Sequence, residues 1–253
     1  MKTGKITTLL LILITISGSL SAQEKELFIN YKYNRKGGGL LAREYSTREH
    51  GNIEVFSYGN KMISRKLSHY TNAEIRDNRI VSCDTNYFYV AMDFNKKELL
   101  LSSFLPADKN RYFLLKEPLN LFEWKPCMDT KTILGYTCHK ATCKFRGRNY
   151  EAWFTRAIPF KAAPWKFHGL PGVILEVYST DEYCSWVAES IEIRPFKKEI
   201  ELPFYGIDIV DLKKYIKILK AKKQSSIESQ KRRGKSEEQI SMSTRTIEKF
   251  DLD

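Results

Sequence analysis

Arg146 and Arg148 flank a glycine at a point where the chain reads as a tight turn. Two guanidinium groups so placed present paired donors that suit a phosphate or a carboxylate. Nearby stand Cys138, His139, Cys143 and His168, nitrogen and sulfur groups of the kind that hold zinc. Cys138 and His139 are adjacent, however, so on a strand their side chains diverge, and the set follows no zinc spacing. No metal is expected. A Cys–His nucleophile pair is chemically available, with His50, His69 or His168 as partner, but nothing in the spacing selects one. The sequence has no His-Glu-x-x-His, no Gly-x-Ser-x-Gly and no phosphate-cradling loop; Gly37-Gly38-Gly39 lacks the Lys-Ser/Thr that a nucleotide site requires. No cofactor is expected, and binding ranks ahead of catalysis.

The residues best suited to binding are apolar. Residues 157–169 form a long connection without clear periodicity, carrying Phe160, Trp165 and Phe167 and stiffened by Pro159 and Pro164. Left exposed, these rings would make a sticky patch, so the loop must either lid a core or wall a cavity. It leads into Gly169, Leu170, Pro171 and Gly172. Proline before glycine fits a type II turn, because Pro171 fixes one φ and Gly172 accepts the positive φ at the next position.

Strands must position these groups. Residues 27–33, 53–58, 62–69, 86–93, 97–104 and 111–116 are rich in β-branched and aromatic types with alternating polarity. Asp93-Phe94-Asn95 suggests a hairpin. A strand within 131–145 ends at Phe145, and 150–156 returns from the turn at Gly147. Residues 173–178 are almost continuously apolar, as in a strand buried on both faces, and Asp181-Glu182 turns the chain into 183–193. The fold expected is mainly β: a curved antiparallel sheet or half-open barrel over 23–206, with a C-terminal basic helix. That helix is expected in 207–253, where Ile209, Leu212, Ile216 and Leu219 recur at helical spacing; beyond Lys223 the text turns polar and reads as a weakly packed or disordered extension.

Residues 1–22 read as a cleavable secretory signal. Lys2 and Lys5 precede an apolar run from Leu9, and small residues lead to Ala22. The run is shorter than the roughly 20 apolar residues that cross a bilayer, so no transmembrane span is expected after cleavage. Without Lys2 and Lys5 the 42 basic residues fall to 40 against 30 acidic, a net charge of +10. Such a balance reads first as a solvated basic surface; as a binding surface it would suit anionic lipid or acidic glycan, with nucleic acid the weakest partner outside the cytosol. Five cysteines are too few for a disulfide scaffold, and their odd number leaves at least one free thiol in a monomer.

Between Ile133 and Leu175 several motifs follow in order: Ile-Leu-Gly-Tyr-Thr-Cys-His-Lys-Ala, Phe145 to Tyr150, Ala-Trp-Phe-Thr at 152–155, and Gly169-Leu-Pro-Gly-Val-Ile174. This segment, 133–175, resembles the GLPGLI family of exported Bacteroidota proteins. The resemblance implies a protein of the periplasm or cell envelope and brings no catalytic residues with it. The functional expectation is therefore an exported protein binding an apolar or lipid-like ligand. An interaction partner of an outer-membrane assembly is the alternative, and an enzyme ranks third.

Overall fold

The structure, a computed structural model, describes residues 24–36, 48–66, 75–76, 79–80, 88–105, 108–200 and 208–236. The signal segment, Gly37–Gly39, His69, Cys83 and the last 17 residues lie outside them. The strands are β1 (Lys25–Lys36), β2 (Arg48–Tyr58), β3 (Lys61–Lys66), β4 (Ile75–Arg76), β5 (Arg79–Ile80), β6 (Phe88–Asp93), β7 (Glu98–Leu105) and β8 (Asp108–Pro118). They continue with β9 (Lys125–Ile133), β10 (Tyr136–Phe145), β11 (Arg148–Thr155), β12 (Val173–Ser179), β13 (Cys184–Pro195) and β14 (Asp208–Asp211), and helix α1 (Leu212–Arg232) follows.

Twelve strands make one sheet in the order β14-β8-β7-β6-β3-β2-β1-β13-β12-β11-β10-β9, while β4 and β5 pair separately. Every pairing in the large sheet is antiparallel except that of β14 with β8. The sheet has to curl. Laid flat, β8 and β9 would stand ten strand spacings apart, about 48 Å, yet only residues 119–124 join them. A link of that length spans at most about 25 Å. Among the described residues β9 pairs only with β10, so the curled sheet stays open, as the half-open alternative expected.

Alternation sets its concave face. On β1, Leu27, Ile29, Tyr31 and Tyr33 are all buried there, and Ile53, Val55, Met62, Val90, Leu99 and Leu101 extend the same core across β2, β3, β6 and β7. The far half contributes Ala141, Cys143, Phe145, Tyr150, Leu175 and Trp186. A second, small cluster of Tyr58, Ile63 and Tyr89 lies on the convex side, where Phe196 and Ile200 cover it.

The hairpins form for local reasons. Asp93 accepts hydrogen bonds from the backbone N–H of Asn95 (3.0 Å) and Lys96 (2.9 Å), folding β6 back onto β7. Ser179 Oγ accepts from the N–H of Tyr183 (3.0 Å) and Cys184 (3.1 Å) and closes the β12–β13 turn. The strand expected within 131–145 and ending at Phe145 is β10, and β9 precedes it through a turn that was not expected. Leu134 and Gly135 take φ of 49° and 81°, the paired positive values of a two-residue hairpin turn. The helix expected from 207 begins later: Asp208–Asp211 pair with β8 as β14, with Val210 buried and Ile209 exposed. Asp211 then caps α1, accepting from Lys214 N–H at 2.7 Å. Past Lys223 the polar text continues the helix to Arg232.

Candidate functional site

Residues 156–172, between β11 and β12, run as a strap across the concave face. Ser57 Oγ donates to Lys161 O (2.9 Å), Met62 Sδ accepts from Ala163 N–H (3.2 Å), and Ser64 Oγ accepts from Trp165 N–H (3.1 Å). Alternate strap residues thus dock on β2 and β3. Ala162 O receives Ile174 N–H at 2.9 Å, pinning the strap to the strand it leads into.

The rings picked out from the sequence part company here. Trp165 and Phe167 are buried, whereas Phe160 is half-buried at the margin. Trp165 stacks on Trp186 with centroids 5.7 Å apart and planes 7° from parallel. Phe167 meets Trp165, Trp186, Tyr150 and Phe122 edge-on or tilted at 5.1–5.2 Å. Trp165 holds φ at 52°, a value that costs a bulky side chain of order 1–3 kcal/mol and persists only where surrounding contacts impose it.

Between those two rings lies Lys166, wholly buried, its Nζ 2.8 Å from Glu117 Oε1 on β8. Glu117 Oε2 takes a second cation, Arg146, from the β10–β11 turn. Lys166 Nζ also stands 5.0 Å from the Trp165 centroid and 5.4 Å from that of Phe145. Burial alone would raise the Glu117 carboxyl; the adjacent Lys166 and Arg146 more than offset it and hold the group below its ordinary range. Beside this cluster, His168 Nδ1 contacts Lys166 O at 2.9 Å, while its Nε2 faces Leu121 N–H at 3.5 Å. The neutral ring meets both needs, donating through Nδ1 and accepting through Nε2. Burial, the largest influence on it, lowers the His168 pKa. Trp124 Nε1 donates to His168 O at 2.7 Å, so the 119–124 link is fastened to the strap.

Arg146 and Arg148, the expected anion clamp, point to separate partners. Arg146, at φ 43°, joins Glu117 and lies over the Phe145 ring at 4.8 Å. Arg148 is buried, pairs with Asp181 and lies over Tyr183 at 4.1 Å. At the turn, Gly169 and Gly172 have φ of 94° and 102°. A Cβ on Gly172 would sit 2.1 Å from Thr155 O, so strap and β11 approach as only glycine permits. Cys127, Cys138, Cys143 and Cys184 are free; burial pushes the Cys143 thiol up to about 12 and Cys184 to about 11, which leaves both protonated and unreactive. Among the described residues no three His, Cys, Asp or Glu converge to hold a metal ion.

Reading the sequence for chemistry passed over Glu117 and Lys166. Lys166 is a charge set between Trp165 and Phe167, and that is the signal that asks for a partner; Glu117 follows Lys116 and carries no such mark. Neither segment names the other across 49 residues.

The molecule is an open, strongly curled β-sheet whose concave face is filled by a strap of its own chain. Residues 80–202, just under half of the chain, match the family described as "N-glycanase peptide, N-terminal domain". Two solved structures of PNGF-II, in space groups C2 and P21, share the fold at TM-score 0.53 and 18% identity. The matches cover 77% and 78% of this chain but 32% and 33% of those chains, so this chain spans about a third of their length. No curated protein matches.

These findings overturn the GLPGLI resemblance and the envelope role drawn from it. The motif at 169–174 reports a local device, the glycine approach to Thr155 and the lead into β12, rather than the family of the whole chain. The expected carrier of an apolar ligand and its alternative, a partner of an outer-membrane assembly, are overturned with it, since the similarity is to an N-glycanase domain. The structure supplies the physical reason: the strap's own rings occupy the face that a carried ligand would need.

Proposed function

We propose that this chain is a non-catalytic module that engages glycoproteins. The observation that supports this reading is the match of residues 80–202 to the N-terminal domain of an N-glycanase, a protein whose name joins it to N-linked glycans. The disposition of ionisable groups agrees with a binding role. Glu117 and Lys166 neutralise each other in the core, and His168 spends its ring nitrogens on backbone groups. The leader-like residues 1–22 support work outside the cytosol; material recovered from cells should then begin at Gln23.

The experiment is surface-plasmon binding of the whole chain to one N-glycosylated protein, before and after enzymatic removal of its glycans. The reading expects binding to the glycosylated form and a clear loss after deglycosylation. Equal binding to both forms, or none to either, ends it.

A further inference from the structure

Helix α1 carries eight basic residues and one acidic residue, Glu228, in 21 positions. It is fastened at its start: Asp211 caps it, and Leu212 and Tyr215 pack against the core. At about 100° per residue, Lys213, Lys217, Lys220 and Lys231 fall within roughly 60° of arc, about a quarter turn from Leu212. All four are exposed. They make a line of positive charge about 27 Å long on the outward side of the helix. Helix stability does not explain it. Lys213 and Lys214 lie in the first turn, where the backbone dipole is positive and which holds no acidic residue beyond the capping Asp211.

We infer that this lysine line is a docking surface for a linear acidic glycan, one bearing sulfate or uronic carboxylate groups. The inference rests on the glycoprotein reading above and names the chemistry of one partner. Charge complementarity carries it: a row of ammonium groups along one helix face matches a chain of regularly spaced anions. A lipid surface fits less well. Adsorbed helices bury an apolar face in the bilayer boundary, and here Leu212 and Tyr215 are already packed on the protein core. Lys214 and Arg232 stand about 100° further round, and of the half-buried Ile216, Ile218 and Ile227 the second lies about half a turn from the other two, so the helix presents no single broad apolar face.

The test uses the whole chain and heparin as the probe, with neutral dextran, phosphatidylglycerol vesicles and duplex DNA as comparisons. Heparin should bind, dextran should not, and added salt should weaken binding steeply. The triple variant Lys213→Glu/Lys217→Glu/Lys220→Glu should bind heparin at least about tenfold more weakly, since each reversal exchanges an attraction for a repulsion. A control with the same net charge, Lys32→Glu/Lys96→Glu/Lys144→Glu, alters exposed lysines away from α1 and should stay within about twofold of the parent. Circular dichroism should be unchanged in both. Equal losses in the two triples, absent heparin binding, or tighter binding to vesicles or DNA would each overturn the inference. If glycosylated protein still binds better than its deglycosylated form, only the role of α1 has failed and the glycoprotein reading stands.

Discussion

Glu117 holds two cations, Lys166 and Arg146, so losing its carboxylate breaks two ion pairs, whereas losing the Lys166 ammonium leaves one of them in place. That asymmetry ranks their substitutions. Glu117→Gln leaves two cations without their carboxylate in or near the core, and breaking a buried pair in this way costs about 3–5 kcal/mol. Lys166→Met keeps much of the stem's packing between Trp165 and Phe145, and it leaves Glu117 paired with Arg146. Urea unfolding should therefore show a clearly larger loss for Glu117→Gln than for Lys166→Met. The reverse order would mean that Arg146 does not hold the carboxylate. At this scale the sequence was least informative, because burial of a lysine depends on a strand 49 residues away.

The strap works as an element because its two ends are fixed by backbone geometry. Gly172 combines φ of 102° with the absence of room for a Cβ, which would lie 2.1 Å from Thr155 O. Gly172→Ala must shift β11 away from the turn, so a loss of at least about 3 kcal/mol is expected, beyond the 1–3 kcal/mol of an unfavourable φ alone. A midpoint in urea that moves by less than this would show that the turn relaxes freely. This position was legible, since Pro-Gly before an apolar run specifies the turn. Strands β1, β2, β11, β12 and β13 were legible too, because their alternation or apolar continuity is strong. The β9–β10 hairpin was not: Leu134-Gly135 lacks the usual Asn or Asp, and β9 is an exposed edge strand with no apolar pattern to mark it. Strand β14 was taken into the helical stripe because Ile209 happens to lie in phase with Leu212.

For the molecule as a whole, acid should act in two stages. His168 has a pKa lowered from 6.5, so the unfolded chain takes up the proton first; the stability it contributes is complete above 6.5 and declines as pH falls below it. Glu117, lowered from 4.5, contributes fully above 4.5 and loses its share as pH falls further. Melting temperature should therefore drop first below 6.5 and again below 4.5. In His168→Gln the first descent should flatten, and an unaltered first descent would remove His168 as its cause. The curl of the sheet was foreseeable from many short strands, and a lid over the core by the loop at 157–169 was one of its two expected roles, because its rings had to be covered; which strands it would dock on was not, since periodicity does not report that.

The middle of the sheet is also where the chain's order of synthesis matters. Strand β1 pairs with β2 almost at once, but its other neighbour is β13, with Lys25 opposite Pro195. At about 5–20 residues per second, the ribosome needs roughly 8–30 s to pass from the end of β1 to the end of β13. Through that interval β1 keeps an open edge, and the apolar residues on its inner face await the far half of the core. The nascent chain is thus a half-sheet ready to pair with any strand it meets, and holding it unfolded until β13 has emerged would serve it better than early folding.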